Sequence, residues 1–446
     1  MQQPFGLMAT TAIALLTSVS VAQAGGHAAC TADALGLGDF SGQTVTIASP
    51  WEGQDEVLVN EVLDCFEQAT GATVEHSGSG EFEQLIVTDI RSGTAPNVAV
   101  FPQPGLAADL AAEGGLIALG DDLASWMTEN YGAGASWVEL GTYADAGGQD
   151  QFFAFAYKVD LKSLVWFKPE NFEDFGYGVP VTMDELIALS DQMVADGNTP
   201  WCIGIESGGA TGWAATDWME DIMLRTQPPS VYDRWVTNEL PFNSEAVLAA
   251  TEIFGQFAKN DDYVDGGASS VASTFFGDSP KGLFTTPPRC FMHRQASFIP
   301  SFFPNKGAEL DEGEADFFYL PPFEANAELG NPVLGAGTLW AMTRESEATR
   351  ALFQFLTQPV AHEIWMARSG FLTPHLGVDA SAYANDALRK QGEILAGADT
   401  FRFDASDLMP GAIGAGAFWR EMTAFTQGQD AQTTLNNIQD AWDAIK

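Results

Sequence analysis

Apolar and polar positions follow two periods along the first quarter of the chain. Residues 44–48 alternate between polar and apolar side chains and are mostly β-branched, as is typical of a strand. Residues 54–70 place their apolar side chains on one face of a helix, and Gly71 marks its end. Strands at 73–76 and 97–101 and helices at 81–92 and 105–114 continue this order. Strand and helix therefore alternate, which predicts an α/β fold with a mostly parallel sheet covered by helices.

A second α/β region begins near residue 150. Residues 151–167 contain two strand-like runs, and Thr182 and Glu185 have the spacing of a capping box before a helix that ends at Gly197. We also predict strands at 201–205 and 337–343, and helices at 212–225, 245–259, 347–357 and 431–445. Trp365 and Trp442 match the helical period, so we expect both to belong to the core.

The first 24 residues predict export from the cytoplasm. Residues 7–21 are mostly apolar but too few to span a membrane, and Ala22-Gln23-Ala24 has the small-x-small pattern of a signal-peptidase site. Because no Lys or Arg precedes the apolar run, a buried N-terminal helix is the alternative. No Cys directly follows the site, which argues against a lipid anchor. We therefore expect residues 1–24 to be a signal peptide and the mature protein to be soluble and exported.

Four cysteines fit an oxidising compartment: Cys30, Cys65, Cys202 and Cys290. Of the three possible pairings we favour Cys30–Cys65 and Cys202–Cys290, because each then joins residues of one half of the chain. Four buried thiols are the alternative. No CxxC motif occurs and the five histidines are scattered, so we expect no metal and no cofactor.

The net charge of the chain excludes some classes of binding partner. Nineteen Lys and Arg stand against 60 Asp and Glu, a formal net charge of −41, and Arg91 is the only basic residue before Lys158. Phosphate backbones and anionic lipid headgroups need basic side chains, so nucleic-acid and membrane-surface binding are excluded. The 446 residues, 46% of them hydrophobic, are enough for two or three domains with sizeable cores.

No motif in the chain predicts catalysis. Phosphate-binding loops, zinc-protease motifs and the nucleophile elbow of hydrolases are all missing from the sequence. Residues 261–266 resemble the start of a calcium loop, but Ala272 stands where such a loop needs Glu. Spacing among the 60 carboxylates neither selects nor excludes a glycosidase pair. We therefore predict no enzyme and keep a secreted glycoside hydrolase as an alternative.

Aromatic and polar side chains occur together at predicted strand ends and helix starts. In an open α/β sheet these positions face the ligand cleft. Sugars suit such a wall, because their C–H faces stack on rings and their hydroxyls bond to carboxylates and amides. The candidates selected in this way are Trp51, Glu52, Glu81, Phe82, Gln103, Trp213 and Asp217.

Several segments, in the right order, resemble the extracellular sugar-binding proteins of ABC importers. They are FEQATG at 66–71, SGTAPNV at 92–98, AAEGGLIAL at 111–119, LVWFK at 164–168, VTMDEL at 181–186, GTLWAM at 337–342, FQFLT at 353–357, GFLTP at 370–374, MP at 409–410 and FW at 418–419. The subgroup that the chain resembles most is that of α-glucoside-binding proteins of Gram-negative bacteria. The chain departs from the family pattern at Asn97, where Asp is usual, and at residues 290–293.

The resemblance implies a two-lobed periplasmic-binding-protein fold of type II, similar to cluster B, with a hinge between the lobes. The first lobe would comprise residues 40–157 with 331–380 returning to it, and the second 162–323 with 385–446 returning. Carried over by position, Asp160 lies at the hinge crossover. The other positions carried over are Phe291 or His293 in the second lobe, Gly337, Thr338 and Trp340 in the first, and Trp419 as a stacking aromatic. For His293, a structural role in the core is the alternative.

The resemblance also implies the function. We expect the protein to capture an α-glucoside or a related neutral mono- or oligosaccharide and to deliver it to the permease subunits of an ABC importer at the inner membrane. We expect a monomer. The alternatives are an importer receptor for a non-sugar solute such as a polyamine, and the glycoside hydrolase named above.

Overall fold

A computed structural model describes residues 28–132, 134–368, 370–396 and 400–446. The predicted signal peptide, residues 1–24, lies outside these ranges. Within them, no helix combines the length and the apolar character that crossing a bilayer requires.

The strands and helices of the described residues follow each other in a mixed α/β order. The strands are β1 (Thr44–Ser49), β2 (Thr73–Gly78), β3 (Val98–Phe101), β4 (Thr142–Ala144), β5 (Asp150–Phe152), β6 (Ala154–Leu161), β7 (Leu164–Phe167), β8 (Met292–Arg294), β9 (Asp316–Tyr319), β10 (Pro332–Met342) and β11 (Thr400–Phe403). The helices are α1 (Ala32–Leu35), α2 (Gln54–Thr70), α3 (Phe82–Ser92), α4 (Pro104–Ala112), α5 (Asp121–Asn130), α6 (Gly134–Leu140), α7 (Pro169–Phe175), α8 (Met183–Ala195), α9 (Trp213–Thr226), α10 (Pro229–Val236), α11 (Glu245–Ala258), α12 (Ala308–Asp311), α13 (Glu347–Leu356), α14 (Pro359–Met366), α15 (Asp386–Ala396), α16 (Ala405–Leu408), α17 (Trp419–Thr426) and α18 (Ala431–Ile445).

A six-stranded sheet forms the centre of one lobe. Its order is β11-β10-β3-β1-β2, with β6 also paired to β10. Strand β1 runs parallel to β2 and β3, whereas β10 runs antiparallel to β3 and β6. The predicted α/β class and the predicted strands at 44–48, 73–76 and 97–101 are confirmed, although the sheet is mixed rather than mostly parallel.

A smaller sheet, of order β8-β7-β9, belongs to the other lobe. The predicted strand at 201–205 is wrong as a continuous ladder, because only Trp201 forms bridges there, to Val264 and Met292. The N–H of Trp201 donates to Tyr263 and its carbonyl accepts from Asp265, while Cys202 donates to Met292 at the start of β8. No bridge continues through residues 203–205, all of which the structure describes. The capped helix is confirmed: Thr182 Oγ1 accepts the N–H of Glu185 at the start of α8.

Two hydrophobic cores pack against these two sheets. One surrounds β1, β3, β6 and β10 with helices α2, α13 and α14, and the other joins α8, α9 and α11 to the C-terminal helices α17 and α18. Strand β11 pairs with β10 in the large sheet, whereas residues 405–445 pack in the second core. The chain therefore passes between the lobes after β6, before β10 and after β11.

Both expected disulfides are present. Cys30 is bonded to Cys65 on α2, and Cys202 is bonded to Cys290 just before β8. The favoured pairing, in which each disulfide joins residues of one half of the chain, is confirmed.

A buried ion network ties α9 to the small sheet. Asp221 accepts hydrogen bonds from Arg225, from Arg294 Nη2 at 2.7 Å and from Ser163 Oγ at 2.7 Å. The side chains of Asp221 and Arg225 are 0% exposed and that of Arg294 is 1% exposed. Charges that are so far from water are tolerated only when they are paired, so Asp221 is the common counter-charge of two guanidinium groups.

We expect Asp221→Ala to lower the free energy of unfolding by about 3–5 kcal/mol, because it leaves two buried guanidinium groups without their shared partner. The measurement is urea unfolding followed by circular dichroism. The control is Asp386→Ala, which removes an exposed ion pair with Arg389 and should cost less than about 1 kcal/mol. Equal losses for the two variants would contradict this account of the network.

Candidate functional site

A cavity of about 1110 Å³ lies between the two lobes. The first lobe lines it with the loop after β1, the start of α3 and the end of β3, together with residues of β6 and β10. The second lobe contributes residues 206–213, 275–281 and 298–306 and the segment after β11. The predicted site residues that line this cavity are Trp51, Glu52, Glu81, Gln103, Asp160, Trp213, Gly337, Thr338 and Trp419.

Two glycines allow the close backbone approaches that hold this wall together. A Cβ atom on Gly78 would lie 1.7 Å from the carbonyl oxygen of Trp51, so only glycine lets β2 end against the loop that carries Trp51 and Glu52. Gly212 has φ +115°, and a Cβ atom there would lie 2.2 Å from the carbonyl oxygen of Trp419. Trp213 is consequently held next to the start of α17.

Four residues form a polar group on the first-lobe side of the cavity: Asp55, Lys158, Asp160 and Thr338. Thr338 on β10 is in register with Lys158 on β6. Lys158 Nζ lies 3.3 Å from Asp160 Oδ1 and 4.0 Å from Asp55 Oδ2. Burial works against the charge of Lys158, but Asp160 and Asp55 raise its pKa above the usual value, so this amine stays protonated.

Several buried polar atoms of residues on the cavity wall have no hydrogen-bond partner among the described residues. They are Asp55 Oδ1, Gln103 Oε1, Thr338 Oγ1 and Trp419 Nε1. A buried polar atom without a partner costs about 1–3 kcal/mol, and most such atoms in proteins are satisfied. Both acceptors and donors are among them, which suits a ligand rich in hydroxyl groups.

Aromatic rings form much of the second-lobe wall. The ring centroid of Trp213 lies 5.1 Å from that of Phe276 and 6.0 Å from that of Phe298. Lys158 Nζ lies 5.5 Å from the Phe298 centroid and Lys162 Nζ 5.4 Å from the Trp213 centroid, distances typical of cation–π contacts. The phenylalanines and Lys162 were not among the sequence-predicted residues.

Lys162 is the centre of a buried acidic cluster next to the cavity. Its Nζ donates to Asp217 Oδ1 at 2.7 Å and to Asp404. Burial, reinforced by the charge of Asp404, raises the pKa of Asp217 to about 7. Burial would also raise the pKa of Asp404, but Lys162 holds it well below its usual range. Oxygens of Asp217, Asp404 and Glu220 lie within 4.8 Å of one another, and Lys162 supplies a positive charge to this group.

The other predicted site residues do not line the cavity. Phe82 packs against Phe101, and Trp340, on the fully buried β10, packs against Trp51 and Tyr157. Asp217 lies behind Lys162, and Phe291 packs against Tyr177. The Nδ1–H of His293 donates one hydrogen bond to the carbonyl oxygen of Cys202 at 2.8 Å, and the ring is buried in the core of the second lobe. These surroundings agree with the alternative given for His293 from the sequence, a structural role in the core.

Sequence reasoning missed Asp55 and Lys158. Asp55 lies in the first turn of α2, where an acidic residue is ordinary because it complements the helix dipole. Lys158 is the first basic residue after Arg91, and that isolation in the sequence was the one available signal.

Two α/β lobes that enclose a cavity of mixed aromatic and polar character define a receptor for a small solute. The chain belongs to the family of bacterial extracellular solute-binding proteins, whose sequence model matches residues 51–362. Proteins of this family are receptors, not enzymes, and they act outside the cytoplasm. The resemblance found in the sequence motifs is confirmed.

Two characterised relatives cover nearly the whole chain. One is the alpha-glucosides-binding periplasmic protein AglE of Rhizobium meliloti, 57% identical over 408 residues, which are 92% of this chain and 89% of that protein. The other is the osmoprotective compounds-binding protein GgtB of Synechocystis, 42% identical over 406 residues, which are 91% of this chain and 94% of that protein.

Solved structures share the two-lobed fold. The solute receptor AcbH, described as preferring β-D-galactopyranose, has a TM-score of 0.75 at 16% identity, covering 90% of this chain and 99% of its own. Maltose-bound T. maritima MalE3 has a TM-score of 0.70 at 16% identity, covering 90% and 100%. The predicted two-lobed periplasmic-binding-protein fold is confirmed.

The position of His293 yields a direct prediction. Burial lowers the pKa of this imidazole to about 4, so the folded protein binds the proton more weakly than the unfolded chain does. The stabilising effect of the neutral ring is therefore present above its usual pKa of 6.5 and is lost as the pH falls towards 4.

We expect the ring resonances of His293 in a proton–carbon NMR spectrum to stay unchanged between pH 8 and pH 6, assigned by their loss in His293→Gln. A titration midpoint near 6.5 would contradict the buried, neutral placement of this ring.

Proposed function

We propose that this protein captures an α-glucoside or a related neutral mono- or oligosaccharide and delivers it to an ABC importer. The observation that carries the proposal is the cavity, whose wall combines aromatic rings with buried donors and acceptors that have no partner in the described part of the chain. The relative named for binding alpha-glucosides, 57% identical over most of both chains, supports the same ligand class.

Each part of the wall has a task in this proposal. Sugar hydroxyls donate to the carboxylates of Asp55 and Asp160 and accept from the ammonium of Lys158, as polyhydroxylated ligands do with charged groups. The C–H faces of the sugar ring pack on Trp213 and Trp419. Because these groups belong to different lobes, a ligand that touches all of them favours the closed arrangement and shifts the open–closed equilibrium towards it.

Hydrogen bonds between the two lobes support closure as the mechanism. Glu81 Oε1 in the first lobe accepts the N–H of Gly209 in the second at 3.2 Å. Gln54 Oε1 accepts a bond from Lys306 Nζ at 3.4 Å. Bonds of this kind join the lobes directly, so they contribute to the stability of the closed form alone.

The proposal extends to location and partners. Residues 1–24 act as a signal peptide, the mature chain is a periplasmic monomer, and its closed form docks on permease subunits at the inner membrane. Family membership supports the compartment.

A cationic solute is the second candidate. Carboxylates outnumber ammonium groups on the cavity wall, which favours a positively charged ligand electrostatically. One relative, 42% identical to this chain, is named for binding osmoprotective compounds and not alpha-glucosides, so the ligand class can differ at this level of identity.

Isothermal titration calorimetry with maltose, sucrose, trehalose and spermidine separates these ligand classes. We expect binding of at least one glucoside, no heat with spermidine, and no release of glucose on long incubation. Binding of spermidine alone would favour the second candidate, and glucose release would favour the hydrolase alternative.

Trp419 is the aromatic anchor to test. We expect Trp419→Ala to weaken glucoside binding by about 1 kcal/mol or more, roughly fivefold, because the ring and its indole N–H are both lost. Trp419→Phe keeps a ring and should lose less. Calorimetry that finds the affinity of Trp419→Ala unchanged would remove this residue from the site.

Asp160 is the charged acceptor to test. Asp160→Asn removes the charge with little change in shape, and we expect binding to weaken by about 1–2 kcal/mol, since hydrogen bonds to charged groups are the stronger ones. The control is Asp278→Asn, an exposed acid on the same cavity that is paired with Lys281, for which we expect little change. Equal effects of the two variants would contradict a specific role for Asp160.

A further inference from the structure

A buried group of charged side chains lies where the two lobes meet, and we call it the junction cluster. The backbone N–H groups of Lys162 and Asp404 donate to the carbonyls of two neighbouring residues of β10, at 2.8 and 2.9 Å, which fixes both to the large sheet. Asp217 and Glu220 are on α9, which packs in the second core. Asp407, the fifth member, lies on α16 after β11. The junction cluster therefore joins the first lobe to the second.

Hydrogen bonds connect the members of the cluster across this junction. Lys162 Nζ donates to Asp217 Oδ1 at 2.7 Å and to Asp404. Glu220 Oε1 accepts the backbone N–H of Ser406 at 2.9 Å, and Ser406 Oγ donates to Asp404 Oδ1, also at 2.9 Å. None of the five members is more than 6% exposed, so water screens a change of charge in the cluster only weakly.

Carboxyl groups outnumber cations in the junction cluster. Its four carboxyl groups face one ammonium, that of Lys162. The charged and titratable groups that face the cluster from other elements are Glu83 on α3, Arg294 on β8 and Tyr232 on α10. Arg294 is the one cation among these three, and its guanidinium is also bonded to Asp221. A buried carboxylate without a counter-charge is so costly that the group binds a proton instead, so we expect some members to be protonated.

Burial determines which of these groups hold protons. Reinforced by the charge of Asp404, burial raises the pKa of Glu220 and of Asp407 well above the usual value, so both stay protonated at neutral pH. Burial also raises the pKa of Asp217, to about 7, although Lys162 lowers it. Asp217 Oδ2 and Glu220 Oε2 have no hydrogen-bond partner among the described residues, and a proton lets each carboxyl group donate to Asp404. Asp217 is thus the member that gains or loses its proton near neutral pH.

The junction cluster borders the cavity, because Lys162, Asp404 and Asp407 line it. When the lobes separate, as the proposed mechanism requires, water reaches this wall. Hydration favours an ionised carboxylate, so the open form binds the proton of the cluster more weakly than the closed form does. A group whose pKa is raised by closure favours the closed form below that pKa, and this advantage is lost as the pH rises through it.

We propose that closure around the sugar is coupled to the uptake of one proton from the solvent by the junction cluster, with the carboxylate of Asp217 as the group that receives it. This inference rests on the proposed function and deepens it, because it makes the affinity of the same site depend on pH. The sugar is bound more tightly as the pH falls from 8 to 6.

Titration calorimetry with maltose, sucrose and trehalose tests the coupling, since none of these sugars ionises between pH 6 and pH 8. We expect about tenfold tighter binding at pH 6 than at pH 8, as for a carboxyl group with a pKa near 7 in the closed form and about 3.9 in the open form. At pH 7, about half a proton should be taken up per sugar, measured as the difference in binding heat between phosphate and imidazole buffers. Histidines ionise at lower pH, because burial lowers the pKa of all four that the structure describes, His76, His293, His362 and His375.

Asp217→Asn keeps the shape of the side chain and removes its titration, so we expect proton uptake and the gain at pH 6 to vanish. The matched control is Asp386→Asn, an exposed acid on α15, which should keep both. If Asp217→Asn binds no glucoside, Asp404→Asn decides instead. The charge of Asp404 helps burial to raise the pKa of Asp217, so its removal should flatten the dependence of affinity on pH between 6 and 8.

Glucoside binding whose affinity changes less than about twofold between pH 6 and pH 8, without proton uptake, would overturn the coupling and leave the proposed function intact. A tenfold dependence on pH that persists in Asp217→Asn, or in Asp404→Asn where that variant decides, would overturn the assignment to Asp217. Absence of binding by every glucoside at both pH values would contradict the proposed function itself.

Discussion

The buried positive charge of Lys162 is the constraint on which the site depends. Lys162 directly follows β6, at the point where the chain leaves the first lobe. Its backbone N–H donates to the carbonyl of Leu334 on β10, and this bond fixes Lys162 to the large sheet. Its ammonium reaches Asp217 on α9 in the second lobe and Asp404 after β11. Removing a charge from water costs several kcal/mol unless partners repay it, so Lys162 holds three segments at the junction of the lobes together.

The same lysine positions the aromatic side of the cavity. Lys162 Nζ lies over the Trp213 ring, while Lys158, four residues earlier, lies over Phe298. The ammonium groups of Lys158 and Lys162 are each paired with carboxylates, so the cavity wall presents ion pairs and not acidic groups alone. The formal net charge of −41 says little about such a site, because the polarity that a ligand meets is set by a few paired groups next to aromatic rings.

Periodicity and motifs predicted the fold well, since helices such as α2 and strands such as β1 depend on local patterns. The site was harder. Gly337, Thr338 and Trp340 lie on one strand, β10, which is buried along its whole length, so alternation could not tell which side chains border the cavity. Asp217, selected at a predicted helix start, and His293, carried over from the resemblance, illustrate a second difficulty. Each polar side chain is held by a buried partner, which only tertiary contacts reveal. Asp55 gave no signal, because an acid in the first turn of a helix is common.

In the proposed function, a glucoside is enclosed between the lobes and contacted by both. A crystal structure of the protein grown with maltose would show whether this is so. We expect a pyranose ring packed on Trp419 or Trp213 of the second lobe, with hydroxyl groups within hydrogen-bonding distance of Asp160 and Asp55 of the first. Maltose bound to one lobe alone, or at a surface away from these four side chains, would contradict it.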